Sequence, residues 1–236
     1  MRAYRATGGR FQLRVSFSTD EIDDICSEAL VKSGYMPKTP EAIRIDRFVE
    51  RYFQCSAAYE DLPDGAMGYT LFDEKGKVHQ VRVSSKLEDG LRSSERRVRT
   101  TWAHEAGHCL LHPTLFIEEK GQPTFADTEG KNSNVHGRKI LCRDGDIRPA
   151  ARSYDGRWWE WQANRCIGGL LLPKTLVREA LSQLLTESVV TKSPSLLPAN
   201  RTLAEKTLSE VFDVNPVVAR IRLGEMFPDP KGQIEF

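Results

Sequence analysis

The feature that most restricts this chain is the run His104-Glu105-Ala106-Gly107-His108. Histidines four residues apart on a helix project from the same face, so both imidazoles can reach one metal ion. The flanks predict that helix. Ser93 or Ser94 can cap its start, and Pro113 stops it at His112, because a residue before proline avoids the helical region. Trp102, Ala106, Cys109 and Leu110 give it an apolar face. Gly107 costs a helix about 1 kcal/mol relative to Ala, which points to a second element packed closely at that position.

Imidazole nitrogen suits zinc, and a catalytic zinc site uses three protein ligands with a fourth position open. Glu105 follows the first histidine and lies beside that open position. It is the candidate general base, taking a proton from attacking water and delivering it to a leaving amine. Zinc lowers the pKa of water at such a site to roughly 7. Manganese or cobalt can use the same ligands.

A third ligand is needed. A pattern with a third histidine after HExxHxxGxxH fails, since Leu111 and Thr114 stand where it needs Gly and His. The alternative is a Glu from a later helix, and Glu160 in WWEWQANRCIGGLLLP is the candidate. That helix is crowded with aromatic and aliphatic residues, so a carboxylate in its core face would be costly unless paired or metal-bound. Asn164, one turn on, is placed to hydrogen-bond Glu160. The plain alternative is a Glu facing solvent.

Bulk composition narrows the field without choosing a function. The 236 residues are 39% hydrophobic and 28% charged, with a formal net charge of +1. No strong field directs the chain to nucleic acid or membrane. No apolar run approaches the ~20 residues of a spanning helix, and no h-region follows the N-terminal arginines. A cytoplasmic location is the default. The five cysteines (Cys26, Cys55, Cys109, Cys142, Cys166) are scattered and odd in number, which argues against a disulfide framework or a zinc ribbon.

Helices are predicted over 20–32 (capped by Thr19 or Asp20, closed by Gly34), 40–53, 93–112, 157–172 and 175–186, with two short ones in 202–227. A β-hairpin is predicted over 62–90, with strands at Ala66–Phe72 and Val78–Val83 around DEKGK. The class is therefore α+β. Residues 1–34 read as a basic arm and helix, 35–186 as the main domain, and 187–236 as a linker and small helical unit. The polar stretch 113–156 is long for a loop and reads as an insertion, a lid or a disordered segment.

The chain resembles the ImmA/IrrE family of metallopeptidases, the M78 peptidases. The family pattern HELGHLLLH, then ExxANxFAAxLLMP, is matched by His104 to His112 and by Glu160 with Ala163, Asn164 and Leu170-Leu171-Leu172-Pro173. LPDGAMGYTLFD, VHQVRVSS and RRVRTTWAHE resemble its strands and lead-in, and LAEKTLSEVFDVNPVVARIRLGEMFP its helix-turn-helix-like end, so the likeness spans roughly 35–227. It implies a compact gluzincin-like zincin domain with one zinc ion on His104, His108 and Glu160, and Glu105 as base. It implies cleavage of a protein substrate, a DNA-binding transcriptional repressor. The chain departs from the pattern at Cys166-Ile167-Gly168-Gly169 and in the longer gap between His108 and Glu160.

Other residues carry less. His112 drifts off the metal-facing side and reads as a support. Tyr154 is a candidate for the oxyanion, a role a peptidase needs filled. Cys142, in the insertion with His136, could reach zinc as an inhibitory thiolate, but a surface loop residue is the plainer reading. The run RSSERRVR reads as a solvated face. Arg220 and Arg222 on the last helix give a thin footprint for DNA. The competing function is a weakly active or inactive zincin-scaffold regulator that binds DNA or a repressor partner. A peptidase-like toxin or effector is a third.

Overall fold

The computed structural model describes residues 2–5, 13–116, 138–143, 146–147, 157–187 and 193–228. It is mixed α+β. Strands β1 (Arg2–Arg5) and β2 (Leu13–Ser16) form a hairpin. Helix α1 (Thr19–Ser33) is capped by Ser18, not by Thr19 or Asp20. Ser18 Oγ accepts from Glu21 N, and the Glu21 carboxylate accepts from Ser18 N, a reciprocal cap that satisfies two donors. Gly34, at φ 77°, closes the helix.

Helix α2 (Ile45–Phe53) begins five residues later than the proline at 40 predicts. The cause is tertiary: Ile43 is fully buried, and its carbonyl accepts from Arg99 Nη2 at 2.9 Å and from Ile45 N, so it is not free to start a helical ladder. Strands β3 (Ser56–Glu60), β4 (Ala66–Phe72) and β5 (Val78–Ser84) follow. The hairpin β4–β5 lies where the sequence places it. β3 was not foreseen; it pairs parallel to β5, Ser56 opposite Gln80.

Helix α3 (Arg92–Leu111) carries both histidines of the motif. Neither serine caps it. Asp89 organises its entrance instead, accepting from Leu91 N at 2.9 Å and Ser94 Oγ at 2.8 Å. Within the stretch 113–156, Arg138–Arg143 forms a strand, β6, antiparallel to β4, which completes a four-stranded sheet in the order β3-β5-β4-β6.

Helix α4 (Trp158–Leu171) packs along α3, and α5 (Lys174–Ala180) follows it. The helix predicted over 175–186 stops at Ala180, because the chain turns through hydrogen bonds from Leu184 N and Leu185 N to Leu181 O. It then forms β7 (Leu185–Glu187), paired with β8 (Pro194–Leu196) inside the predicted linker. Helices α6 (Arg201–Val211) and α7 (Pro216–Met226) end the described chain.

One apolar cluster runs from Ile22 and Leu30 on α1 through Phe48, Val81, Trp102 and Leu170 to Leu208 on α6, Phe212 just after it and Leu223 on α7. The last two helices thus share the core of the rest. Arg96 ties them further, donating to Asp213 and to Ser209 O. Among the described residues no helix is long and apolar enough to cross a membrane.

Candidate metal centre

The α3–α4 contact builds the site, and Gly107 permits it. A β-carbon there would stand 2.9 Å from both Cα and O of Ala163 and 2.9 Å from Cys166 Cβ. The missing side chain lets α4 lie directly on α3 and brings Glu160 over the histidines. The adjacent glycines of α4 serve the other side: a β-carbon on Gly169 would meet Cys26 Sγ at 2.9 Å, and one on Gly168 would meet Arg222 Cδ at 3.2 Å. α1 and α7 pack where those side chains would be.

His104, His108 and Glu160 are all buried, and their ligand atoms lie within 4.8 Å of one another. Nε2 of His104 is 3.1 Å from Glu160 Oε2 and 3.1 Å from Nε2 of His108, which is 3.4 Å from the same oxygen. Ligands at ~2.0–2.1 Å from a tetrahedral zinc stand roughly 3.3–3.4 Å from each other. The triangle therefore fits a small tetrahedral ion, and this group can hold a metal.

The outer ring nitrogens fix the tautomers. Asn164 Nδ2 donates to Asp146 O at 2.8 Å, so its Oδ1, 3.0 Å from His104 Nδ1, is an acceptor. The His104 proton is therefore assigned to Nδ1. Gln162 Nε2 likewise donates to Val15 O at 2.8 Å, so its Oε1 accepts from His112 Nε2 at 3.1 Å. Burial pushes the His112 pKa down to about 3, so this ring is neutral with its proton on Nε2. Its Nδ1 must then accept from His108 Nδ1 at 3.0 Å. With a cation in place of the inner ring protons, both chains of hydrogen bonds would leave an Nε2 lone pair turned inward on His104 and His108.

Burial alone would raise the Glu160 pKa, but His108 and His104 beside it hold it well below the usual carboxylate range. A buried, ionised carboxylate against two imidazoles is a site that favours a cation. Glu105 differs. One oxygen accepts from Thr70 Oγ1 at 2.7 Å, while Oε1 is buried without a hydrogen-bond partner. Burial pushes its pKa up to about 8, against the opposing influence of His104 and Thr70. Gly68 makes room for it, since a β-carbon there would meet Oε1 at 3.0 Å.

The structure thus gathers His104, Glu105, His108 and Glu160. Asn164 is part of the cluster, but its partner is His104 and not Glu160, because α4 presents it to the Nδ1 edge of that ring. His112 stands behind His108. Tyr154 and His136 lie outside the described residues. Cys142 is not a surface loop residue: it is fully buried on β6, where its thiol donates to Arg143 O at 3.8 Å. Thr70, Gln162 and Asp146 were missed. Thr70 had one available signal, a polar residue on the inward face of a strand; the other two depend on the packing of distant segments.

On α7, Arg222 is 1% exposed and packed against Asp23, with Nη2 2.7 Å from Oδ1. Arg220 clasps the Glu205 carboxylate through two hydrogen bonds of 2.9 Å. Both arginines of the thin DNA footprint are thus engaged within the chain.

No protein-family model matches this sequence, and no curated protein matches it.

Proposed function

We propose that this chain is a zinc-dependent endopeptidase of gluzincin type, a zincin domain with a helix-turn-helix-like end, as its likeness to the ImmA/IrrE family implies. The observation that carries the reading is the pairing of a metal-sized triangle of His104, His108 and Glu160 with the half-satisfied carboxylate of Glu105. A zinc ion held there would supply Lewis acidity, polarising a carbonyl oxygen and acidifying water. Glu105 then has the chemistry of the base. Burial raises its pKa in the metal-free protein, against the pull of nearby positive charge, and its unpartnered Oε1 is the atom free to take a proton. Thr70 holds the other oxygen and fixes the carboxylate plane. Asn164 and His112 orient the two imidazoles.

The substrate class, a protein and specifically a transcriptional repressor, comes from the family likeness and is argued by analogy. The five free thiols favour a reducing compartment, the cytoplasm. The internal pairing of Arg220 and Arg222 favours a role for α6–α7 in packing or substrate recognition over the alternative of a DNA-binding regulator.

The test uses wild type, Glu105→Gln and Glu160→Ala, each assayed for zinc content and for cleavage of candidate repressors. The expected pattern is about one zinc per chain in wild type and in Glu105→Gln, with cleavage lost in the latter. Metal is lost from Glu160→Ala. Undiminished cleavage by Glu105→Gln would sink the mechanism, and metal-free wild type after zinc addition would sink the site.

A further inference from the structure

The hydrogen bonds behind His112 do not stop at α4. Gln162 Oε1 faces His112 Nε2 at 3.1 Å, and Gln162 Nε2 donates to the carbonyl of Val15 on β2 at 2.8 Å. A main-chain carbonyl can only accept, so it decides which way the amide points. Turned over, the amide would set its oxygen against Val15 O and aim its N–H groups at His112. The His112 proton would then move to Nδ1, opposite His108 Nδ1. That in turn would drive the His108 proton to Nε2, the nitrogen that has to bind the metal. The Val15 carbonyl thus governs, through Gln162 and His112, which nitrogen of His108 is free.

Gln162 acts at a distance. It lies two residues beyond Glu160, and positions two apart on a helix do not share a face. It is 3% exposed and reaches the centre through His112. Its other partner is lightly held. β2 pairs with β1 in a sheet of two strands, and such a hairpin is marginal in water by itself. The helix that follows is firmly held, by the Ser18 cap and by the close approach of α1 to α4 at Gly169. β2 can therefore come away while α1 stays in place.

We propose that Gln162 is a positioning residue that couples the N-terminal strand to the metal centre. With β2 docked, His108 offers its Nε2 lone pair to the ion. With β2 withdrawn, the Gln162 amide is free to turn and the ion is held less tightly. This rests on the metal reading above and adds how that site is governed. The family pattern ExxAN leaves the position of Gln162 open, so the resemblance assigns it no role. Linkage is reciprocal: whatever factor β2 adds to metal affinity, a bound ion adds to the docking of β2.

The experiment measures zinc affinity by chelator competition, and hydrogen–deuterium exchange with and without zinc, on full-length wild type, Gln162→Leu and Gln162→Glu. In wild type, zinc should slow exchange in β2 more than in the β7–β8 hairpin, which makes no hydrogen bond to the site among the described residues. Gln162→Leu removes both bonds. Its zinc affinity should fall about tenfold, and the extra protection of β2 should vanish. Gln162→Glu still accepts from His112 but cannot donate to Val15. It should recover most of the affinity without the extra protection, which separates support of His112 from general damage to the fold. The wild-type comparison needs no variant. Equal protection of the two hairpins by zinc, wild-type affinity in Gln162→Leu, or extra protection that survives in either variant overturns the proposal and leaves the His-His-Glu site standing. Failure of wild type to bind zinc overturns both.

Discussion

His112 Nδ1 lies 3.0 Å from His108 Nδ1, and the far nitrogen of His112 is held by Gln162. The last turn of α3 and the residue that caps it are thus linked by a relay that ends on α4, and the relay leaves His108 with its lone pair inward. Replacing His112 by Ala should keep the fold and the three ligands but release the His108 ring. Metal affinity should fall by roughly 10–100-fold, read by competition with a chelator of known affinity. Unchanged affinity would show that His112 is filler and not a support.

Glu105 makes a pH prediction for the metal-free protein. Burial holds its folded pKa at about 8, above the ordinary 4.5. Between those values the folded state binds more protons than the unfolded state, so this group lowers stability progressively as pH rises through the window. Glu105→Gln removes the titration. The variant should gain on wild type from about pH 4.5 to 8, by on the order of a few kcal/mol at the upper end. Urea unfolding of both proteins in chelator, across that range, is the measurement. A constant difference between them would show that Glu105 is not shifted.

The local parts of this arrangement were legible in the sequence and the long-range parts were not. His104 and His108 share a face by helical spacing alone, and the hairpin β4–β5 announces itself by alternation around DEKGK. Glu160 was found by chemistry, as a carboxylate in an apolar helix. The partner of Asn164 is not legible in the sequence, because it depends on the line along which α4 crosses α3, and only the packing at Gly107 sets that line. Cys142 looked like a loop residue because its strand sits in a polar stretch. Nothing local marks Arg138–Arg143 as the partner of β4. Arg222 read as a surface cation for the same reason, since its partner Asp23 lies 199 residues away.

Gly107 sets two magnitudes against each other. In an exposed helix, Gly→Ala gains about 1 kcal/mol. Here the new methyl group would meet backbone atoms of Ala163 and the Cys166 β-carbon at 2.9 Å, and none of these is a flexible side-chain end. Overpacking of this kind costs about 1–3 kcal/mol or more, so the clash wins. Gly107→Ala should unfold at lower denaturant concentration than wild type. It should also bind metal more weakly, since pushing α4 outward moves Glu160 off the histidines. A stabilised variant with full metal content would mean that the two helices are not in contact at this point.

Arg222 and Asp23 make the last case, because they join the two ends of the described chain. The guanidinium donates to Leu172 O at 3.0 Å and meets both Asp23 oxygens, and it is as buried as the apolar residues around it. Replacing Arg222 with Met keeps most of the volume but strands Asp23, whose remaining partner is Lys174 at 2.9 Å. Breaking one side of such a pair typically costs about 3–5 kcal/mol, and the lysine offsets part of it. Exchanging both residues together, Asp23→Leu with Arg222→Met, removes the stranded charge and should recover much of the loss. A double-mutant cycle by urea unfolding reads this directly. Additive losses would mean that the two side chains do not interact, and that Leu172 O and Glu225 are what hold the guanidinium in place.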